Sequence, residues 1–163
     1  MKRLAIMDSD GANHKFITTG QAIALTPRYS PDYRQIVYLS YLNGNPRIYI
    51  YDTISGTQRL VTQSRNPTFA PRWSPDGKWI LYSMATGGNT DIYKVAADGS
   101  GTTLRLTNTP GINIGGSFSP DGSKIVFESD RSGSQQVYVM NADGSEQRRI
   151  SFFGGRAATP EWS

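Results

Sequence analysis

The sequence has 163 residues, enough for one domain with a hydrophobic core, and its composition excludes several classes of protein. It contains no cysteine, which excludes disulfides, thiol catalysis and zinc–thiolate sites. Asp, Asn, Gly or Lys interrupts every apolar run, so no segment is predicted to insert into a bilayer. The net charge of +4 is scattered along the chain, which indicates a solvated surface and no nucleic-acid partner.

Residues 1–26 contain two strand-like stretches, "RLAIMD" and "HKFITT", on either side of a turn at Asp10-Gly11. They match the third and fourth strands of units that follow, so we predict half of a four-stranded unit here. "DSDGAN" in this turn also matches the start of a calcium-binding loop, but Thr19 stands where such a loop needs a glutamate. A plain turn is therefore the favoured interpretation, and no metal site is predicted.

The rest of the chain repeats one short sequence. "SPDYRQIVYL" starts at Ser30, "SPDGKWILYS" at Ser74 and "SPDGSKIVFE" at Ser119, while "WS" closes the chain at Ser163. These serines stand 44 or 45 residues apart. A period of this length is typical of a repeat architecture, in which each unit is one supersecondary element.

Each repeat predicts four strands. A short first strand such as "PRWS" precedes a Pro-Asp-Gly turn, and a second strand such as "KWILYS" follows that turn. A polar stretch then leads to a third strand such as "IYKVA", and a glycine-bearing turn such as "ADGSGT" leads to a fourth, "LRLT". Because the second strands are apolar at consecutive positions, both faces should be buried. We therefore predict an all-β fold, a β-propeller of four-stranded antiparallel blades.

The predicted arrangement is one partial propeller of about three and a half blades. Its parts are a half blade over 1–26, blades over 27–70, 71–115 and 116–159, and the first strand of another blade over 160–163. Two units depart from the pattern: Tyr33 replaces the turn glycine, and Gly116-Ser117 replaces Pro-Arg. Tyr33 is expected to change the type of its turn, and Gly116-Ser117 is expected to alter contacts near a binding mouth. The chain is expected to be a fragment whose unpaired strand edges lead to self-association.

"SFSPDGSKIVFESDRSGSQQVYVMNADGSEQRRIS" resembles the propeller repeat of the TolB family, periplasmic components of the Tol-Pal system of Gram-negative bacteria. The resemblance extends over the whole chain. It implies a six-bladed propeller preceded by a small α/β domain, with protein partners: the lipoprotein Pal at one mouth of the propeller, and other Tol components. It implies no cofactor, apart from a calcium ion that backbone carbonyls could hold in the central channel.

Catalytic chemistry is hard to assemble from this sequence. His14 is its only histidine, and Asp32, Asp76 and Asp121 stand one per repeat, where they cannot converge as a pair. We therefore predict no catalytic residues. Two functions stay open at this point: a non-catalytic protein-binding module of the cell envelope, and the substrate-gating propeller of a prolyl oligopeptidase-type serine peptidase, because both use this kind of repeat.

Partner contacts are predicted in the loops between blades. These loops vary in sequence, whereas the first and third turns of each blade are stereotyped, and variable loops on a rigid scaffold commonly carry function. The alternative for Phe69 and Ile114 is that they only pack between blades. The candidate contacts are Arg65, Asn66, Thr68, Phe69, Asn113, Ile114, Phe153 and Arg156.

Overall fold

The computed structural model describes residues 2–152 and 154–162. Its strands form a two-stranded sheet followed by three four-stranded antiparallel sheets, each in sequential order. The two-stranded sheet contains β1 (Ala5–Ile6) and β2 (Lys15–Phe16). The first blade contains β3 (Ala24–Tyr29), β4 (Gln35–Asn43), β5 (Asn45–Asp52) and β6 (Gln58–Leu60). The second contains β7 (Thr68–Trp73), β8 (Trp79–Thr86), β9 (Asn89–Ala96) and β10 (Thr103–Arg105), and the third β11 (Asn113–Phe118), β12 (Lys124–Ser129), β13 (Gln136–Asn141) and β14 (Arg148–Arg149).

The blades stack side by side with their first strands innermost. Strand β7 contacts β3, β4 and β5 of the blade before it and β11 of the blade after it. The indole Nε1 of Trp73 donates a hydrogen bond of 3.1 Å to the carbonyl oxygen of Arg28 on the neighbouring innermost strand. This arrangement confirms the all-β propeller prediction, and the two-stranded sheet lies where the half blade is predicted.

The hydrophobic core consists of layers between blades. Ile80 and Tyr82 of the second blade pack against the first blade, in a cluster that includes Val37 and Ile50. Leu81, the residue between them, packs against the third blade instead. Successive side chains of a strand point to opposite faces of the sheet, so a blade with neighbours on both sides needs apolar residues at consecutive positions. The unbroken apolar runs in the sequence have this cause.

Each first strand contains a β-bulge, which corrects the predicted blade boundaries. The strands begin at Ala24, Thr68 and Asn113, before the predicted boundaries at residues 27, 71 and 116. Their registers shift between Leu25 and Arg28, Phe69 and Arg72, and Ile114 and Ser117, next to left-handed residues at Thr26, Ala70 and Gly115. The bulge lets Pro27 and Pro71 lie inside a strand, where sequence reasoning placed a boundary. Residues 160–162 form no strand.

The first turn of every blade has the same geometry, including the turn that contains Tyr33. Tyr33 has φ +59°, beside +70° for Gly77 and +73° for Gly122. Its N–H donates to the Ser30 carbonyl at 2.9 Å, as the N–H of Gly77 does to Ser74 at 3.0 Å. The expectation that Tyr33 changes the turn type is therefore wrong.

Gly116 is explained by packing between blades. It is buried, and a Cβ at this position would lie 2.7 Å from Cδ2 of Leu81 in the preceding blade. Leu81 itself is fully buried. Glycine in place of proline in this repeat therefore makes room for a neighbouring side chain. The structure places the effect of this change between two blades rather than at a binding mouth.

Candidate functional site: the loop face

The meander topology separates two faces of the molecule. The connections between blades and the second turns of the blades form the loop face, which consists of residues 19–23, 41–45, 63–67, 86–89, 108–112, 130–135 and 152–156, without the undescribed residue 153. The first and third turns of the blades form the turn face, which consists of residues 30–34, 52–57, 74–78, 97–102, 119–123 and 142–146. Every predicted partner-binding residue that the structure describes belongs to the loop face or to the strand residues just below it.

The turn face is occupied by its own hydrogen bonds. In each first turn a serine hydroxyl donates to the aspartate two residues on, with 2.6 Å between Ser74 Oγ and Asp76 Oδ1 and the same distance between Ser119 and Asp121. The same carboxylate accepts a backbone N–H, 3.0 Å from Lys78 N in the case of Asp76. These bonds lower the pKa of Asp76, and they lower the pKa of Asp121 to about 2. The aspartates therefore stabilise turns.

Two of the predicted contact residues, Thr68 and Asn113, have fully buried side chains. They occupy the same position in successive repeats, at the start of a first strand. The Asn113 amide donates to the Thr90 carbonyl at 3.2 Å, and its Oδ1 accepts bonds from Ser129 Oγ and Arg131 Nη2, both at 2.8 Å. Because both side chains are buried, neither is available to a partner. Their role is to hold the loops above them in position.

Asp91 lies at the centre of this buried network and was missed by sequence reasoning. Its carboxylate, 3 % exposed, accepts bonds from Arg105 Nη2 at 2.5 Å and from Thr107 Oγ1 at 2.7 Å. The bond to Asp91 raises the pKa of Arg105. Asn113 Nδ2 lies 3.3 Å from the same carboxylate. Because a buried charge needs a paired partner, these contacts tie the second blade to the third.

A repeated sequence signal does identify part of this network. The last residue of each "RLVT", "LRLT" and "RRIS" segment supplies a hydroxyl that accepts a backbone N–H of the third strand. The distances are 3.4 Å for Ile48 N to Thr62, 2.9 Å for Ile92 N to Thr107 and 2.8 Å for Val137 N to Ser151. This hydroxyl extends the pairing of the third and fourth strands to the edge of the loop face.

The remaining predicted contacts differ in exposure. Arg65 and Arg156 are exposed, and Asn66 is partly exposed with its Nδ2 donating to Thr86 Oγ1 at 3.2 Å. Phe69 packs against the core between the first two blades, and Ile114 is partly buried. Phe153 lies outside the described residues.

Sequence reasoning missed the apolar part of the loop face. Ile23 is 40 % exposed and Ile112 44 % exposed, and Tyr41 and Leu42 are also exposed. Ile23, Pro67, Ile112 and Arg156 stand at one position of the repeat, immediately before each first strand or its counterpart. The loops therefore present an apolar arc that ends at an arginine. Alignment of the repeats from the bulge rather than from the Ser-Pro-Asp turn reveals it.

No metal-binding cluster is found within residues 2–152 and 154–162. His14 packs its ring against Phe16, with centroids 4.9 Å apart. In the turn that resembles a calcium loop, Asn13 Nδ2 donates to Asp8 Oδ2 at 2.5 Å and Asp10 Oδ1 accepts the N–H of Ala12. Across the described chain no group of three or more His, Asp or Glu residues is placed to hold a metal ion. The described residues also include no helix long and apolar enough to cross a membrane.

The fold and the repeat agree with a known family. The model of the TolB beta propeller domain matches residues 1–163. The chain belongs to the TolB β-propeller family. Over 51 residues, which are 31% of this chain and 11% of the relative, it is 80% identical to the Tol-Pal system protein TolB 1 of Novosphingobium aromaticivorans. Over the same length it is 76% identical to the Tol-Pal system protein TolB of Sphingopyxis alaskensis.

Solved structures of the family share this TolB propeller arrangement. The crystal structure of TolB from Acinetobacter baumannii matches 94% of this chain with a TM-score of 0.82 and 33% identity. The chain spans 38% of that protein. A prolyl endopeptidase structure also matches, with a TM-score of 0.72, but at 16% identity it shows the fold alone.

Proposed function

We propose that this TolB-family chain forms part of the propeller of a periplasmic, non-catalytic Tol-Pal protein, and that it binds the lipoprotein Pal through the loop face. The observation that carries the proposal is the difference between the two faces. The loop face presents exposed apolar side chains, Ile23 and Ile112, beside the arginines Arg65 and Arg156. Apolar residues and arginine are enriched in protein interfaces.

The turn face also exposes apolar side chains, Tyr33 and Ile54, but its polar groups are already bonded within the turns. Its aspartates are bonded to their own serines and backbone N–H groups, and these turns are nearly identical in each blade. A partner that docked there would have to break local bonds that stabilise the blades. The buried network of Asp91 and Asn113 instead holds the loops of the opposite face in one arrangement. A preorganised surface binds with a smaller entropic cost.

A binding role without catalysis also agrees with the chemistry of the described residues. The aspartates that recur in each blade lie in separate turns, and their lowered pKa values keep them ionised and bonded. A general acid or base works best with a pKa near the operating pH. We therefore expect esterase, peptidase and glycosidase substrates to be unchanged by this chain.

Isothermal titration of the chain with Pal from the same organism tests the proposal. Arg65→Ala/Ile112→Ala should weaken binding by about tenfold or more, because it removes an interface cation and an apolar contact. The matched control is Lys78→Ala/Ile54→Ala, which removes an exposed cation and an exposed isoleucine from the turn face. The control should bind within about twofold of the parent chain, and both doubles should keep its thermal unfolding temperature. If both double variants bound Pal equally weakly, the assignment of Pal binding to the loop face would be refuted.

The alternative function is the gating propeller of a prolyl oligopeptidase-type serine peptidase. It is supported only by likeness of fold, which does not carry function. It predicts that the parent reading frame continues into an α/β segment with a Gly-x-Ser-x-Gly motif. A parent protein with that motif, combined with absence of Pal binding, would favour the alternative.

A further inference from the structure

The acidic residues of the molecule are segregated between its two faces, whereas the basic residues are divided almost evenly. When each strand is divided at its midpoint, the acidic residues on the loop side are Asp91, Glu128 and Asp130, whereas the basic residues there are Lys2, Arg3, Arg47, Arg65, Arg105, Arg131, Arg149 and Arg156. The acidic residues on the turn side are Asp8, Asp10, Asp32, Asp52, Asp76, Asp98, Asp121, Asp143, Glu146 and Glu161. The loop side therefore has eight basic and three acidic residues, a formal charge of +5, whereas the turn side has nine basic and ten acidic residues, a formal charge of −1.

The few acidic groups on the loop side are already bonded inside the molecule. Asp91 is buried against Arg105. Glu128, 5 % exposed, accepts hydrogen bonds from the Gln135 amide and from the backbone N–H of Thr159. Asp130 Oδ1 accepts the N–H of Ile112 at 2.7 Å. Their charges reduce the positive field of the loop side without cancelling it, and their bonded oxygens are less available to repel an acidic partner at close range.

Among the residues that the structure describes, the exposed loop-face arginines Arg65 and Arg156 have no acidic partner. Within residues 2–152 and 154–162, the ion pairs are Arg34 with Asp52 and Arg105 with Asp91. Arg65 and Arg156 take part in neither and extend from loops on either side of Ile112. Two free guanidinium groups therefore flank an exposed apolar residue along successive loops. A guanidinium binds a carboxylate with two parallel hydrogen bonds.

From this arrangement we infer that the loop face binds an acidic protein segment, with an apolar side chain on the Ile23–Ile112 arc and carboxylates at Arg65 and Arg156. This inference rests on the proposed function and adds the chemistry of the partner surface. It predicts fast, salt-sensitive association, because complementary charge steers the encounter and is screened by salt. A basic or neutral partner segment gains nothing from these arginines.

The test uses a probe that does not depend on Pal. The ¹⁵N-labelled chain is titrated with a short glutamate-rich peptide that has one central leucine, and with the same peptide in which glutamine replaces glutamate. Amide shifts should be confined to the loop face with the glutamate peptide and absent with the glutamine peptide. The apparent affinity should fall by about tenfold between about 50 and about 300 mM salt, because the Debye length shortens over this range.

Charge reversal supplies the control. The double variant Arg65→Glu/Arg156→Glu should bind the acidic peptide about tenfold or more weakly than the parent chain, because like charges then face each other. Lys78→Glu/Arg148→Glu changes the net charge equally but acts on exposed turn-side residues, so it should change affinity by less than about threefold.

Four results would overturn the inference: no binding of the acidic peptide, shifts spread over both faces, equal binding of the glutamine peptide, or equal effects of the two reversals. If the peptide behaves as expected but Pal does not bind, the proposed function fails and the charge inference stands.

Discussion

Tyr33 holds a left-handed backbone conformation that glycine holds in the two sister turns. Its φ of +59° is strained for a residue with a Cβ, and its side chain is 74 % exposed with little packing to compensate. The ring makes one aromatic contact, with Tyr29 at 5.8 Å between centroids. The turn persists because Ser30 and Asp32 bond it at both ends, with Ser30 Oγ accepting the N–H of Gln35 at 2.8 Å.

Tyr33→Gly should therefore stabilise the chain relative to Tyr33→Ala. Both changes remove the ring, but only glycine relieves the left-handed strain, so we expect a difference of about 1 kcal/mol in the free energy of unfolding. Urea denaturation followed by tryptophan fluorescence measures it. Equal stability of the two variants would show that the turn carries no strain at this position.

The turn aspartates predict how stability depends on pH. Hydrogen bonds from Ser119 and Ser123 lower the pKa of Asp121 from 3.8 to about 2, and bonds from the Ser55 and Ile54 backbone lower that of Asp52 to about 2. The unfolded chain therefore takes up protons first as pH falls. This contribution to stability is complete above about pH 5 and is lost as the pH falls from about 4 to about 2.

Asp121→Asn removes one of these groups and tests the assignment. The variant should lose stability at pH 7 and show a shallower decline of the unfolding free energy between pH 5 and pH 2 than the parent chain, a window that follows from the lowered pKa. Denaturation midpoints in a pH series give both quantities. A decline as steep in the variant as in the parent would contradict the role of Asp121.

At the scale of strands, the blades are held by side chains that alternate between two neighbours. Leu81 reaches into the third blade, where it fills the space above Gly116. Lys94 crosses the same boundary, since its Nζ donates to the Ala142 carbonyl at 2.7 Å and lies 4.8 Å from the centroid of the Trp79 ring. The sister blades place Ile50 and Val139 at the position of Lys94. Equivalent positions in different blades therefore hold different residues, some of which join the blades by apolar packing and others by polar contacts.

Gly116→Ala should destabilise the chain by about 1–3 kcal/mol, because the added Cβ meets buried Leu81 at 2.7 Å. Leu81→Val in the same chain should recover part of that loss, so the double variant should be more stable than the sum of the singles predicts. Gly154→Ala is the control, since its Cβ would meet nothing within 4 Å. Additive single effects would mean that Gly116 and Leu81 do not share this space.

The sequence predicted the repeat, the strand order and the fold class, because period, apolar runs and turn residues are local signals. It did not predict where the first strands begin, because the bulges depend on left-handed residues such as Thr26 and Ala70 that carry no glycine signal. It placed Asn113 in the interface for a different reason. Burial of that side chain depends on Asp91 and Ser129, which are distant in sequence and become neighbours only when blades pack.

At the scale of the whole molecule, the open arc leaves an unpaired edge at strand β1. Strand β1 pairs only with β2 among the described strands, and an apolar recess of about 240 Å³ lined by Leu4, Ile17 and Ile36 lies beside it. Residues 158–162 lack a strand partner within the part of the chain that the structure describes. An unpaired edge next to apolar surface favours pairing with another chain.

We therefore predict that the 163-residue chain self-associates, with residues 158–162 of one copy pairing with the half blade of another. Multi-angle light scattering at several concentrations should show a concentration-dependent dimer. Ile6→Lys, on the free edge, should shift the equilibrium to monomer, because an inward charge blocks edge pairing. A strict monomer at high concentration, with the blades folded, would contradict the prediction.

Hydrogen exchange of the chain with and without Pal tests the central proposal most directly, because it reports which face is covered. Binding at the loop face should slow exchange in residues 63–67 and 108–112 and leave the turns at 74–78 and 119–123 unchanged. Backbone protection follows local burial and opening, so the two faces are resolved in one experiment. Slower exchange in the turns, with the loops unchanged, would contradict the account.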